Sequence, residues 1–173
     1  MNRIENVHWN QWEPYFKHLE DNDIFECVKG KSVLEIGTAS GMFWETIYKH
    51  NPKDITGLDP FKWTIFEPCV EEKIIRETWD TYLPNTDYDV IICFGFIYKM
   101  HSPIRLLELM ARSEPEYIIL EEISNIDSII KVRESLNSKG DLIVDEPVRT
   151  QVVLRLPHDV IIEAMNDFGY TIK

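Results

Sequence analysis

Cysteine is scarce in this chain, and what there is does not pair in sequence. Cys27, Cys69 and Cys93 are odd in number and far apart, and no C-x-x-C occurs. That argues against a disulfide framework and supplies no zinc-ligand spacing, so no metal is expected. Reduced thiols in a cytoplasmic protein are the simplest reading. Long apolar runs are missing too: no stretch of about 18 apolar residues is present, so no membrane span is expected. The start, "MNRIENVHWNQWEPYF", lacks the apolar run of a signal peptide. Basic residues are in deficit, 18 Lys and Arg against 30 Asp and Glu, for a formal net charge of -12. Such a surface repels phosphate backbones at long range. The loose basic groupings (Lys49, His50 and Lys53; Lys99, His101 and Arg105; Lys131 and Arg133) form no run. Nucleic acid is therefore not the expected partner. Repeats, low-complexity tracts and Gly/Ser linkers are also absent, which leaves one domain over residues 1–173.

What is present is an alternation of strand-like and helix-like segments. "SVLEI" (32–36) is apolar and ends at Gly37, and "GMFWETIYKHN" (41–51) follows with helical spacing. "DITGLD" (54–59) predicts a second strand, a helical stretch lies near 62–72, and "KIIRET" (73–78) is a third strand candidate. "YDVIICFG" (88–95) is apolar almost throughout, as a strand covered on both faces should be. "SPIRLLELMARS" (102–113) carries Ser at the N-cap position and Pro at the first helical one. "EYIILEEI" (116–123) predicts another strand, and 126–138 a helix. This order implies an α/β fold with a doubly wound, mostly parallel sheet in three layers. Ligands of such sheets sit beyond the carboxyl ends of the strands.

The residues after each strand therefore carry the chemistry. Gly37, Thr38, Ala39 and Gly41 make a small-residue turn that lets a backbone approach a ligand. Any parallel α/β domain needs a compact first turn, so the turn by itself is weak evidence. Asp59 ends the next strand, 22 residues after Gly37, where a carboxylate can accept from a ribose hydroxyl pair. The plainer reading of Asp59 is a cap for the helix near Lys62. Together the two features favour an adenosine-type ligand. Met42, Phe43 and Trp44 replace the third glycine of a pyrophosphate grip, and Glu35 places a negative charge beside the loop. That combination suits a cationic, non-phosphorylated ligand.

On these residues the chain resembles the Rossmann-like S-adenosylmethionine-dependent methyltransferases. "VLEIGTASG" is similar to their first motif, "ITGLDP" to their second, and the run from "YDVIICFGFIYKMHSP" to "EYIILEE" to their fourth and fifth strand region. In "LDPFKWTIF" and "GFIYKMHSP" it resembles more closely the tRNA wobble-uridine carboxymethyltransferases, with Lys99 where those carry a histidine after the tyrosine. The resemblance implies S-adenosylmethionine as cofactor. Glu35, Gly37 and Gly41 would line its methionine and ribose side, and Asp59 would take the ribose hydroxyls. Pro60 or Phe61 would pack on the adenine, and Trp79 or Asp80 would meet its edge. Phe94, Gly95 and Tyr98 would line the transfer site. Methyl transfer relies mainly on positioning, with a base needed only for weakly acidic acceptors. Tyr98, His101 and Glu121 (or Glu122) are the candidates. Each has a plainer reading: Phe94 and Phe96 as core, Trp79 as packing, Asp80 as a solvated turn residue, His101 and Glu121 as exposed element ends.

Within the single domain, residues 1–29 are expected to form a helical cap, 30–123 the cofactor-binding core and 124–173 an acceptor-side segment. Trp9, Trp12, Tyr15, Phe16 and Leu19 fall at roughly helical spacing, for packing on the sheet edge or as a lid. "LPHDVIIEAMNDFGYTI" (156–172) is similar to the family's late helix and sixth strand, and the usual seventh strand has no counterpart. The strand region is thus expected to be shortened, with "DLIVDEPVRTQVVLRL" (141–156) as a source of edge strands and an open edge for homo-oligomerisation. A non-catalytic protein that binds the cofactor or its demethylated product is the alternative to an enzyme, and an RNA-modifying enzyme a further one.

Overall fold

The computed structural model describes residues 17–61, 72–97, 100, 102–121, 130–133, 151–154 and 158–171. Five strands form one sheet: β1 (Ser32–Ile36), β2 (Asp54–Leu58), β3 (Ile74–Ile75), β4 (Val90–Cys93) and β5 (Tyr117–Leu120). Their order is β3-β2-β1-β4-β5, with every pairing parallel. The order reverses between β1 and β4, so the switch point lies at the end of β1, where "GTASG" begins. The helices are α1 (Trp44–Tyr48), α2 (Trp79–Tyr82), α3 (Pro103–Arg112) and α4 (His158–Asp167). β6 (Ile130–Arg133) and β7 (Gln151–Leu154) pair antiparallel as a separate two-stranded sheet.

Period-two alternation of side chains divides the core into two layers. One layer holds Val33, Ile55, Val90, Ile92 and Phe94 with Phe25, Trp44 and Ile47. The other holds Leu34, Ile36, Leu58, Ile91 and Cys93 under Leu106, Leu107 and Met110 of α3 and Met165 of α4. Both faces of β1 and β4 are covered, which is why these strands read as continuous apolar runs. Residues 17–21 are helical, and a 3-10 segment (Ile24–Val28) adds Phe25 and Val28 to the first layer. Of the amino-terminal aromatic and apolar set only Leu19 falls among the described residues, and it is buried.

The sequence expectations need five amendments. The predicted helix over 126–138 contains a strand instead, at Ile130–Arg133, since the β-branched residues of "IIKVR" match a pleated ribbon as readily as a helix face. The 141–156 segment contributes β7 to that ribbon and not to the main sheet. The helix after the first turn spans five residues and not eleven, starting three residues beyond Gly41. Ser102 is the N-cap of α3 but makes no side-chain cap hydrogen bond, and Pro103 alone marks the start. Residues 62–71 of the expected helix lie outside the described residues, and so do 172–173 at the end of the sixth-strand segment; Tyr170 and Thr171 of that segment are not in a strand.

Candidate functional site

Glu35, Gly57 and Asp59 lie on the first-layer face, in line with Val33 and Ile55. Gly57 pairs with Glu35 in register, and its missing side chain makes room for Thr38. A Cβ at Gly57 would stand 2.5 Å from the Thr38 methyl carbon. Thr38 in turn hydrogen-bonds the Glu35 carboxylate, which also accepts from Trp44 Nε1 at 2.7 Å. Only 1% of Glu35 is exposed. Burial pushes its carboxyl up to about 7; the hydrogen bonds from Thr38 and Trp44 oppose the rise, and the Asp59 charge adds to it.

The first turn is closed by hydrogen bonds from the Gly37 N–H to the Leu58 carbonyl and from the Gly41 N–H to the Thr38 carbonyl, both 2.8 Å. Gly37, Ala39 and Gly41 all have left-handed backbones, with φ of 75°, 49° and 71°. Two of these positions are glycine, which adopts that region freely; Ala39 adopts it against the steric preference of its Cβ. Gly37 has a second constraint, because a Cβ there would lie 2.5 Å from the Phe96 ring.

Asp59 ties this turn to the next strand. Its Oδ2 accepts the Ala39 N–H and its Oδ1 the Phe61 N–H, both at 2.9 Å. The described part of the turn after β2 is thus an Asx-type turn. Arg76, just beyond β3, donates to the Asp59 carbonyl at 3.3 Å and to the Phe61 carbonyl, holding the same turn from the other side. Pro60 is exposed, and so is the Phe61 ring, at 51%. On the far side of β1, Gly95 donates its N–H to Glu121 Oε2 at 2.6 Å, linking the loop after β4 to the end of β5.

The sequence-derived candidates thus divide. Glu35, Gly37, Thr38, Ala39, Gly41 and Asp59 come together at the switch point, flanked by Pro60 and Phe61 on one side and Gly95 and Glu121 on the other. Phe94 does not join them: it is buried in the first layer against Phe25 and Phe43, as strand alternation from Val90 and Ile92 requires. Trp79 packs on the second core layer, and Asp80 is exposed on α2. Glu121 is engaged by Gly95. Tyr98, His101 and Glu122 lie outside the described residues. Sequence reasoning missed Arg76, Trp44 and Phe96 as parts of the site. A Trp on the helix directly after the turn, with a buried Glu before it, was the available signal for Trp44.

A left-handed turn with a glycine at each end, closed on a buried carboxylate, is an arrangement that can present backbone to a ligand. A profile of the methyltransferase domain family matches residues 11–172. The chain belongs to the methyltransferase domain family. S-adenosylmethionine is the cofactor of that family. The methyltransferase domain is 30% identical over 113 residues to a tRNA U34 carboxymethyltransferase of Campylobacter concisus, covering 57% of this chain and 37% of the relative. The chain thus spans about a third of the length of the curated relatives it matches, from 33% to 38%. In fold the methyltransferase domain is similar to an S-adenosylmethionine-dependent methyltransferase from Mesorhizobium loti (TM-score 0.57, 12% identity, 94% of this chain and 82% of that one). It is also similar to magnesium protoporphyrin IX methyltransferase of Synechocystis PCC 6803 with bound cofactor (TM-score 0.56, 11% identity, 96% and 70%). The residues at the switch point fit that cofactor: the turn carries no phosphate grip, and the two buried carboxylates beside it favour a cation.

Proposed function

We propose that this domain transfers a methyl group from S-adenosylmethionine to a small molecule or an accessible side chain. The observation that carries the reading is Asp59, whose carboxylate is fixed by the Ala39 and Phe61 N–H groups at the end of β2. A carboxylate accepts from hydroxyl donors, so ribose hydroxyls are the ligand groups that Asp59 would meet there. The cofactor supplies a sulfonium methyl that is already electrophilic. Gly37, Ala39 and Gly41 would present backbone to it, the exposed Phe61 ring would stack on its base, and Glu35 beneath the turn would favour its positive charge. Gly95, held by Glu121, would border the side where the acceptor enters.

Positioning of that kind is the main catalytic task of a methyl-transfer site. An acceptor proton, where there is one, would pass to a base or to water; Tyr98 and His101 keep the candidate roles given by their sequence motif. The experiment is incubation with methyl-labelled cofactor and a cell extract fractionated into small molecules, protein and RNA. Label in the small-molecule or protein fraction supports the proposal, and label in none of the three opposes it.

A second reading, RNA as acceptor, is favoured by the similarity to tRNA-modifying relatives. The net charge of -12 argues against it. Label confined to the RNA fraction would decide for it.

A further inference from the structure

We propose that Glu35 reads the charge on the cofactor's sulfur, so that the sulfonium cofactor binds with release of the Glu35 proton and the neutral thioether product binds without it. This rests on the cofactor assignment above and goes beyond it. Glu35 is an unusual feature of the first core layer: a carboxyl in the row of Val33, in register with Gly57 on one side and Ile92 on the other. Its two side-chain partners stand on either side of the left-handed turn, Thr38 before Ala39 and Trp44 after Gly41. The carboxyl therefore lies directly under the backbone that would carry the ligand.

Among the described residues, the charged groups around it are few. Asp59 at the end of β2 raises its proton affinity. Arg76 beyond β3 is occupied with the Asp59 and Phe61 carbonyls, and Glu121 beyond β5 with Gly95. From the elements packed on the same face come Glu45 of α1, which is exposed, and the His50–Glu26 pair at 3.5 Å. β4 offers only Ile92 in register, and Cys93 turns to the opposite layer. A buried carboxyl with a carboxylate neighbour, balanced near neutrality, ionises when a cation enters its surroundings, because charges act over several ångströms in a low dielectric. Loss of the methyl group removes the positive charge and with it the reason for Glu35 to stay ionised. The proton then returns, and the site no longer favours a cation.

The test is titration calorimetry of the whole protein with S-adenosylmethionine and with S-adenosylhomocysteine between pH 6 and 8, in buffers of different ionisation heat. Affinity for S-adenosylmethionine should rise about tenfold across that range, as expected when the binding-competent ionised form grows from a minor to a major fraction, with proton release near pH 7. S-adenosylhomocysteine should show neither effect. Glu35→Gln, which keeps an oxygen acceptor for Thr38 and Trp44, should flatten the difference between the two ligands. Trp44→Phe, which removes a hydrogen bond to the ionised form, should move the rise to higher pH. Equal pH slopes for the two ligands, or an unchanged difference in Glu35→Gln, overturn the proposal while leaving cofactor binding intact. Binding of neither ligand at any pH overturns the cofactor assignment itself and this proposal with it.

Discussion

Asp59 accepts the Ala39 N–H at 2.9 Å, so the middle of the first turn hangs on the end of the second strand. The same carboxylate closes its own turn on Phe61. One residue thus sets the distance between the two loops that would grip a nucleoside. Asp59→Ala should weaken S-adenosylmethionine binding by about 1–3 kcal/mol, the loss expected when a hydrogen-bonding partner is removed. It should also lower stability, since two N–H groups lose their acceptor. Calorimetry and denaturant melts measure the two effects separately, and unchanged affinity would remove Asp59 from the ribose.

Gly37 meets two constraints, a left-handed backbone and the Phe96 ring. Gly37→Ala should cost more than the roughly 1–2 kcal/mol of left-handed strain alone, because the ring must also move. In a double-mutant cycle, Phe96→Ala should recover the steric part and leave the backbone part. Additive losses in urea melts would show that the ring does not rest on this glycine.

Ala39 adopts φ of 49° without being glycine. Ala39→Gly removes the Cβ strain but gives the unfolded chain more freedom, two effects of similar size and opposite sign. Its stability should stay within about 1 kcal/mol of the parent. Ala39→Val should be clearly worse, because a β-branched side chain is a true outlier at positive φ. Thermal melts of the pair decide it.

Glu35 links stability to pH. Its carboxyl sits at about 7 in the fold against an ordinary 4.5. Below pH 4.5 it is neutral in both folded and unfolded chains and contributes no penalty. Between the two values the unfolded chain ionises first, so stability falls as pH rises, and above 7 the loss levels off. Measured against Glu35→Gln, the parent should therefore lose about 3 kcal/mol between pH 4.5 and 8, following 1.36 kcal/mol per unit. A constant difference between parent and variant across that range would show that Glu35 does not carry the shift.

The apolar runs "SVLEI" and "DVIIC", the punctuation at Gly37 and the Asp at the end of "DITGLD" determined the parallel sheet, its switch point and the turn beside it. These are local features: strand runs covered on both faces and a small-residue turn leave their mark in consecutive residues. The bounds of α3 were legible for the same reason, through Pro103 and an apolar stripe. What the tertiary structure decided is contact between residues distant in sequence. Phe94, expected at the transfer site, stands in the core instead, and only its packing against Phe25 and Phe43 shows it. Arg76 reaches the Asp59 turn because β3 lies beside β2, a neighbour relation no local pattern encodes. Trp44 and Thr38 close on Glu35 because the turn folds back over its own strand. The chain spelled out which residues stand at the switch point; the fold decided which of them hold one another, since hydrogen-bond partners are set by distance in space and not along the sequence.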